Sequence, residues 1–121
     1  MQYMLLIYDD EQTMAAMSED ERGALHAAYG SFTQELQSAG AMTGGAPLDS
    51  IRTATSVRVR NGETLTTDGP FAETKEQLGG YYLIEARDLN EAIQVASRIP
   101  GARHGSIEVR PIQEMGAPIA R

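Results

Sequence analysis

The residues whose order most strongly suggests chemistry run from Asp68 to Glu76, as Asp-Gly-Pro-Phe-Ala-Glu-Thr-Lys-Glu. Proline fixes its own φ and keeps the preceding Gly69 out of the α region, so a strand that ends at Asp68 can bend sharply there. The carboxylate at the bend could accept hydrogen bonds from the main-chain N–H groups that follow it, as turn and capping aspartates do. Alternatively, it could face a pocket and act as a general base.

The rest of this stretch would shape the pocket. We expect Pro70 to begin a short helical turn, because its missing N–H is no loss there, and the glycine pair 79–80 to end it. Gly69, Pro70 and Phe71 are then candidate ligand-binding residues. The loop charges are expected to be solvated, although Lys75 could bind an anionic substrate.

Candidate histidine and tyrosine residues lie outside this stretch. His26 precedes Tyr29 by one helical turn and could reach the same pocket wall, although a histidine at the edge of a helix is the alternative. Tyr81 and Tyr82 should point to opposite faces of a strand. One would then be a core residue, and the other could offer its hydroxyl group to a ligand.

Arginines could recognise an anion. Arg52, Arg58 and Arg110 could each hold a carboxylate or phenolate through two hydrogen bonds, or could pair with nearby glutamates. The two histidines, His26 and His104, have no carboxylate at ligand spacing and the chain has no cysteine, so we predict no metal site. Neither of the two glycine-rich phosphate-binding patterns, GxGxxG and the Walker spacing, is present in the sequence. We therefore predict no cofactor.

Composition restricts the class of protein. A chain of 121 residues predicts one domain, with an ordered core over about 1–112 and a loose tail over 113–121. The net charge of −7 argues against nucleic acid and anionic membranes as partners. The longest apolar run, residues 4–8, is too short to span a bilayer and has no basic segment before it. We therefore expect a cytoplasmic protein.

Periodicity predicts the elements that must position these residues. The first helix should begin after a capping box at Ser18 and end at Gly40, and the second should begin after Asp88 and end at Pro100. In the second helix, a buried stripe is expected at Leu89, Ala92, Ile93, Ala96 and Ile99. Strands are predicted at 3–8, 41–45, 53–60, 64–68, 80–86 and 106–110, and residues 9–13 are predicted to form a polar loop.

The pair Asn61-Gly62 predicts a β-hairpin between the third and fourth strands. A two-residue loop would place Val59 opposite Thr64. A three-residue loop that includes Glu63 would pair Val59 with Leu65 instead, and we favour it because it matches apolar with apolar side chains.

This order of elements predicts an α+β fold, a ferredoxin-like sandwich with an added hairpin. Right-handed crossovers would place both helices on one face of the sheet, with Ile107 and Val109 directed toward them. Residues 3–8 are apolar on both faces, so the other face is too apolar to be left exposed. We therefore predict a homodimer in which two such faces meet around a cavity, as a dimeric α/β barrel.

Three segments of the chain resemble one known family. They are the stretch 68–76, Gly-Gly-Tyr-Tyr-Leu-Ile-Glu at 79–85 and Glu-Val-Arg-Pro-Ile at 108–112. Together they resemble the YCII-related family, and more narrowly its branch named for the Asp-Gly-Pro-Phe motif. The resemblance extends from the first strand to Ile112. It implies a ferredoxin-like fold, a dimeric α/β barrel and a cleft proposed as an active site.

The resemblance also implies chemistry and partners. Some relatives lie beside genes for extracytoplasmic-function sigma factors, and one distant relative is a dehydrochlorinase of a chlorinated hydroquinone. Members outside this branch carry a first-helix histidine that is proposed to pair with an aspartate as an acid–base dyad. That position falls near Tyr29 here, with His26 one turn earlier, so Asp68, Tyr29 and His26 are the catalytic candidates.

Three functions fit these residues. The first is a cofactor-free acid–base enzyme for a small anionic or aromatic molecule, with Asp68 as the base. The second is a small-molecule-binding or regulatory module without turnover. The third is a protein-interaction partner in sigma-factor signalling.

Overall fold

The computed structural model describes residues 1–114. In chain order the elements are β1 (Gln2–Asp9), α1 (Glu11–Ala15), α2 (Glu19–Ser38), β2 (Met42–Pro47), β3 (Thr55–Arg60), β4 (Glu63–Asp68), β5 (Gln77–Glu85), α3 (Leu89–Ser97) and β6 (Ser106–Pro111), with short 3₁₀ helices at Ile51–Thr53 and Pro100–Arg103. Within residues 1–114, no helix is long and apolar enough to cross a membrane.

Four strands form one antiparallel sheet in the order β2-β5-β1-β6, and β3 and β4 form a separate two-stranded sheet. The predicted α+β class, with an antiparallel sheet and an added hairpin, is confirmed. The helices α2 and α3 pack on the same face of the larger sheet, because their buried side chains form one cluster with those of β1 and β5. That cluster contains Tyr3, Leu5, Ile7, Phe32, Leu36, Tyr82, Ile84, Ala86, Ala92, Val95, Ala96 and Ile99.

The predicted caps of both long helices are confirmed. Ser18 and Glu21 form a reciprocal capping box, with each side chain bound to the other residue's main-chain N–H at 3.1 Å. The Asp88 carboxylate accepts a hydrogen bond from the N–H of Glu91 at 2.9 Å. The expected stripe on α3 is wrong at Leu89 and Ile93, which are each 48% exposed.

The α3 stripe is wrong because this helix presents a narrower face to the sheet than its composition suggests. Its buried residues are Ala92, Val95 and Ala96, followed by Ile99 beyond its end. Small side chains at 92 and 96 allow the helix to approach the sheet closely. Leu89 and Ile93 are left at the edge of this contact.

The hairpin uses a two-residue loop, so the predicted three-residue loop is wrong. Val59 pairs with Thr64 and Arg60 with Glu63. Asn61 and Gly62 have φ angles of 52° and 78°, as a two-residue loop with both central residues left-handed requires. Nearly all hairpin side chains are exposed, so pairing apolar residues would gain little stability from burial. The geometry of the turn therefore sets the register.

Two glycine pairs that were expected to end elements lie inside strands instead. β5 begins at Gln77 and continues through Gly79 and Gly80, while β2 continues through residues 44–45 to Pro47 with a bulge after Met42. Here glycine permits two strands to approach closely. A Cβ atom at Gly80 would lie 3.1 Å from the carbonyl oxygen of Ala46.

Two local expectations for the connecting segments are also wrong. Residues 69–76 are irregular, and no helical turn begins at Pro70. The polar loop predicted over residues 9–13 is wrong from residue 11 onward, because residues 11–15 form α1. The carboxylate of Asp10 caps this helix by accepting a hydrogen bond from the N–H of Gln12 at 3.0 Å. Most of the predicted tail, residues 115–121, lies outside the described part of the chain.

The sheet face opposite the helices is partly apolar. Met4, Leu6, Tyr81 and Leu83 are half-buried there. The expected alternation on β6 is confirmed, because Ile107 and Val109 pack against the core.

Candidate functional site

Asp68 is the last residue of β4, and its side chain is exposed. It pairs with Thr55 across the hairpin, and its carboxylate has no hydrogen bond with any group in residues 1–114. Gly69, at φ 101°, turns the chain, and its N–H donates to the carbonyl oxygen of Ala54 at 2.7 Å. Within one chain, this carboxylate therefore neither caps a turn nor enters a pocket.

The other ligand-binding candidates of the stretch are also exposed. Pro70 and Lys75 lie on the surface, and the Phe71 side chain is 84% exposed. Within this stretch only Gly69 and Glu76 are half-buried. The Oε1 atom of Glu76 accepts a hydrogen bond from the Ser106 hydroxyl at 2.9 Å.

Glu76 lies beside the carboxyl group of Asp9, which ends β1. Asp9 is half-buried and pairs with Gln77 in the sheet. Its carboxylate faces Gly79, where an added Cβ atom would lie 3.4 Å from Oδ1. Burial raises the pKa of Asp9, and the neighbouring carboxylates of Glu11, Glu76 and Asp10 raise it further.

Tyr29 reaches the same region from α2. Its half-buried hydroxyl accepts a hydrogen bond from the N–H of Gly101 at 3.1 Å. Burial raises the pKa of Tyr29 to about 12, an effect that the bond from Gly101 opposes and the charge of Asp9 reinforces. The hydroxyl therefore keeps its proton at neutral pH and can donate it in a hydrogen bond.

Two close approaches shape this corner of the fold. A Cβ atom at Gly101 would collide with the Tyr29 hydroxyl, and one at Gly105 would collide with the carbonyl oxygen of Tyr8. These glycines allow the loop before β6 to lie against both Tyr29 and the end of β1. The chain thereby brings together groups that are more than 70 residues apart in sequence.

The remaining candidates lie elsewhere. His26 is exposed on α2, and its side chain has no hydrogen bond or ion pair with another residue of the described chain. Tyr82 is a core residue, because its ring packs edge-on against Phe32 at 5.4 Å and its hydroxyl lies 2.7 Å from that of Thr33. Tyr81 lies on the opposite sheet face, as expected of neighbouring strand residues.

Arg110 also lies on the sheet face opposite the helices. It is exposed near the Tyr8 hydroxyl, which donates a hydrogen bond to Glu108 at 3.1 Å. Within one chain, Tyr81 and Arg110 are thus separated by the sheet from Tyr29. They could contribute only to a site on the opposite face.

A groove of about 840 Å³ is lined by Asp10 and Glu11, the two residues that follow Asp9 in the chain. We call it the α1 groove, and it lies between α1, residues 50–53 and residues 74–77. Glu11 ties these segments together: its N–H donates to Gln77 Oε1 at 3.0 Å, and its carboxylate accepts from the Ser50 hydroxyl and the Ile51 N–H, both at 2.9 Å. Arg52 and Lys75 also line this groove.

The arrangement is suited to proton transfer. Asp9 has a raised pKa, so it can exchange a proton closer to neutral pH than an exposed aspartate can. Tyr29, which is near enough for the charge of Asp9 to raise its pKa, is a neutral hydrogen-bond donor. No group of three metal-ligating side chains occurs among residues 1–114.

Asp9 and Glu76 are candidate site residues that the sequence motifs did not predict. The sequence could have indicated an unusual carboxyl group at Asp9, because this residue directly follows an apolar strand and precedes two further acids, Asp10 and Glu11. A carboxylate at the end of a buried strand is partly desolvated, and neighbouring acids raise its pKa. The position of Glu76 depends on the path of an irregular loop, and no local pattern predicts it.

Comparisons with known proteins agree on the family and the fold. The model of the YCII-related domain matches residues 1–116. An uncharacterized protein of Rhizobium meliloti (strain 1021) is 39% identical over 114 residues, which cover 93% of this chain and 92% of the relative.

Among solved structures, the chain is similar to 5-chloro-2-hydroxyhydroquinone dehydrochlorinase (TftG) from Burkholderia phenoliruptrix AC1100, in complex with 2,5-dihydroxybenzoquinone. The TM-score is 0.53 at 15% identity, over 93% of this chain and 94% of that one. At this identity the likeness is one of fold.

Proposed function

Because this chain belongs to the YCII-related domain family, we propose that it is an acid–base enzyme acting on a small hydroxylated aromatic or anionic molecule. The observation that carries this proposal is the half-buried carboxyl group of Asp9, whose raised pKa is combined with a Tyr29 hydroxyl that keeps its proton. Such a pair supplies both a group that exchanges protons and a fixed donor for a substrate oxygen.

Each residue of the pair has a separate role in this proposal. Asp9 takes a proton from a substrate hydroxyl or carbon and returns one later in the reaction. Tyr29, positioned by the Gly101 N–H, donates a hydrogen bond to the oxygen that gains negative charge. Burial, reinforced by the charges of Glu11 and Glu76, holds the pKa of Asp9 above its ordinary value.

The fold likeness to the dehydrochlorinase suggests the first substrates to test. That enzyme acts on a chlorinated hydroxyhydroquinone, and its structure contains a dihydroxybenzoquinone. Removal of HCl from such a ring needs a group that moves protons between ring hydroxyls and ring carbon. The Asp9–Tyr29 pair could supply that chemistry here.

A pair of variants tests the proposal. Release of chloride from 5-chloro-2-hydroxyhydroquinone, and proton exchange in related unchlorinated hydroquinones, would be followed for the wild type, Asp9→Asn and Asp68→Asn. We expect Asp9→Asn to lose about 100-fold or more of kcat/KM, the usual scale for removing a general acid–base group. Asp68→Asn should remain close to the wild type, because its side chain is exposed.

The reverse result would support the role of Asp68 predicted from the motif. Full activity in Asp9→Asn together with loss in Asp68→Asn would remove Asp9 from the mechanism. It would require another chain to bury the carboxylate of Asp68. Ligands that bind but are recovered unaltered by all three proteins would instead favour a binding module without turnover.

We also propose that two chains pair through the sheet face opposite the helices. Met4, Leu6, Tyr81 and Leu83 are half-buried on this face of a single chain, and they would form a largely apolar interface. Pairing of this kind would complete a dimeric α/β barrel. It would also bring Arg110 and Tyr81 of the two chains to a common cavity.

A further inference from the structure

The α1 groove has two cationic side chains from different segments on its wall. Arg52 belongs to the 3₁₀ helix Ile51–Thr53, and Lys75 belongs to the loop that leads into β5. Neither forms an ion pair with an acid in the described part of the chain. Both can therefore bind a ligand without first breaking a salt bridge.

The acids that line the same groove have structural roles. Both oxygens of the Glu11 carboxylate accept hydrogen bonds, from Ser50 and Ile51. Asp10 caps α1 through Gln12. These bonds hold the carboxylates against the protein, whereas the charged ends of Arg52 and Lys75 are exposed.

The groove adjoins the acid–base site through two of its lining residues. Gln77 lines the groove and pairs with Asp9 in the sheet, and Glu11 lines it while raising the pKa of Asp9. The carboxylates around Asp9 would repel an anionic substrate, and so would the net charge of −7. Local positive charge is therefore needed wherever an anion is to bind beside Asp9.

On the premise of the acid–base function proposed above, we infer that the α1 groove is the anion subsite of the same site. Arg52 and Lys75 bind the carboxylate or ionised hydroxyl of a small organic anion. The guanidinium group offers two parallel hydrogen bonds and the ammonium group a second charge. The rest of the molecule then extends toward Asp9 and Tyr29. The substrate class is thus a small hydroxylated organic acid, in preference to a neutral aromatic molecule.

Binding of a charged and a neutral probe tests this assignment. The charged probe is 2,5-dihydroxybenzoquinone, whose hydroxyls are ionised at neutral pH, and the neutral probe is 2,5-dimethoxybenzoquinone. Calorimetric titration would compare the wild type with Arg52→Gln, Lys75→Gln and the double variant. Arg58→Gln is the matched control, because Arg58 is an exposed arginine of the hairpin.

We expect each single variant to weaken binding of the charged probe by about tenfold, the scale of one charge-assisted hydrogen bond. The double variant should lose more than either single variant, and the affinity should fall with salt in the wild type and in Arg58→Gln but not in the double variant. Arg58→Gln should bind like the wild type. The neutral probe should bind weakly and equally to all variants.

Two results would overturn the inference. One is a wild type that does not bind the charged probe at millimolar concentration. The other is an affinity that Arg52→Gln and Lys75→Gln leave unchanged, or that Arg58→Gln lowers equally.

Asp9→Asn separates this question from catalysis, because it should retain binding of the charged probe while losing turnover. Binding that depends on Arg52 and Lys75 without turnover in the wild type would remove the proposed reaction but keep the subsite.

Discussion

At the scale of single residues, two aspartates at strand ends have different surroundings. Asp9 ends a strand at the centre of the four-stranded sheet and is half-buried, whereas Asp68 ends an exposed hairpin strand. A carboxylate acquires unusual chemistry when burial and like charges disfavour its ionised form. Only Asp9 meets that condition within the single chain.

The raised pKa of Asp9 predicts a pH-dependent stability. The folded state holds this proton more tightly than the unfolded state, so the contribution to stability is fully present below the ordinary aspartate pKa of about 3.9. It is lost as pH rises through the raised folded pKa. The wild type should therefore lose thermal stability relative to Asp9→Asn as pH increases from about 4 to 7.

Melting temperatures of both proteins across this pH range would measure the effect. Asp68→Asn is the control, because it removes an exposed carboxylate that has no hydrogen bond in the described chain. A melting-temperature difference between the wild type and Asp9→Asn that is independent of pH would contradict the raised pKa.

Tyr29→Phe should destabilise the protein by removing a hydrogen-bond acceptor. The N–H of Gly101, a buried residue, would lose its partner, at a cost of about 1–3 kcal/mol. Tyr81→Phe is the control, because Tyr81 lies on the other face of the sheet. Chemical denaturation would compare the free energies of unfolding, and equal values for both variants would argue against a structural role for the Tyr29–Gly101 bond.

At the scale of elements, α2 is held by its cap and by a short apolar stripe. Its fully buried residues are Phe32 and Leu36, both in its C-terminal half. Gly23 and Gly30 lie within the helix, and a methyl group added at either would meet open space, so each lowers helix stability without a packing reason. The N-terminal half of α2 therefore depends on local helix stability more than on the core.

We expect Gly30→Ala and Gly23→Ala each to stabilise the protein by up to about 1 kcal/mol, the difference in helix propensity between glycine and alanine. Gly101→Ala should have the opposite effect, because its Cβ atom would collide with the Tyr29 hydroxyl. Thermal or denaturant unfolding would measure all three. Destabilisation by Gly30→Ala would show that this position is covered by another surface.

At the scale of the whole molecule, one face of the sheet lacks a covering layer in the single chain. Leu6 and Leu83 lie on that face, opposite the helices. We predict that light scattering will give twice the chain mass of 13.1 kDa, and that Leu6→Glu will give a monomer because a charge would be buried at the interface. Leu89→Glu, on the exposed part of α3, should leave the mass unchanged.

A wild type that remains at 13.1 kDa at micromolar concentration would contradict this pairing. Dissociation caused equally by Leu89→Glu would instead indicate an interface on the helical side. Circular dichroism of each variant would distinguish loss of pairing from loss of folding.

The sequence by itself determined the features that depend on near neighbours in the chain. The capping box at Ser18, the cap at Asp88 and the hairpin at Asn61-Gly62 each involve groups a few residues apart. The fold class follows from the order of these elements, because short connections and right-handed crossovers leave few arrangements.

The tertiary structure alone decided which carboxylate is desolvated. Asp9 has a raised pKa because it is half-buried and because Glu11, Glu76 and Asp10 lie near it, and Tyr29 is held by Gly101 from a loop 72 residues away. The glycine pairs at 44–45 and 79–80 were likewise expected to end elements. Only the packing of neighbouring strands shows that they lie inside strands. Solvation and close approach are properties of contacts between distant segments, so a local motif can predict a bend at Asp68 without showing how far its carboxylate is buried.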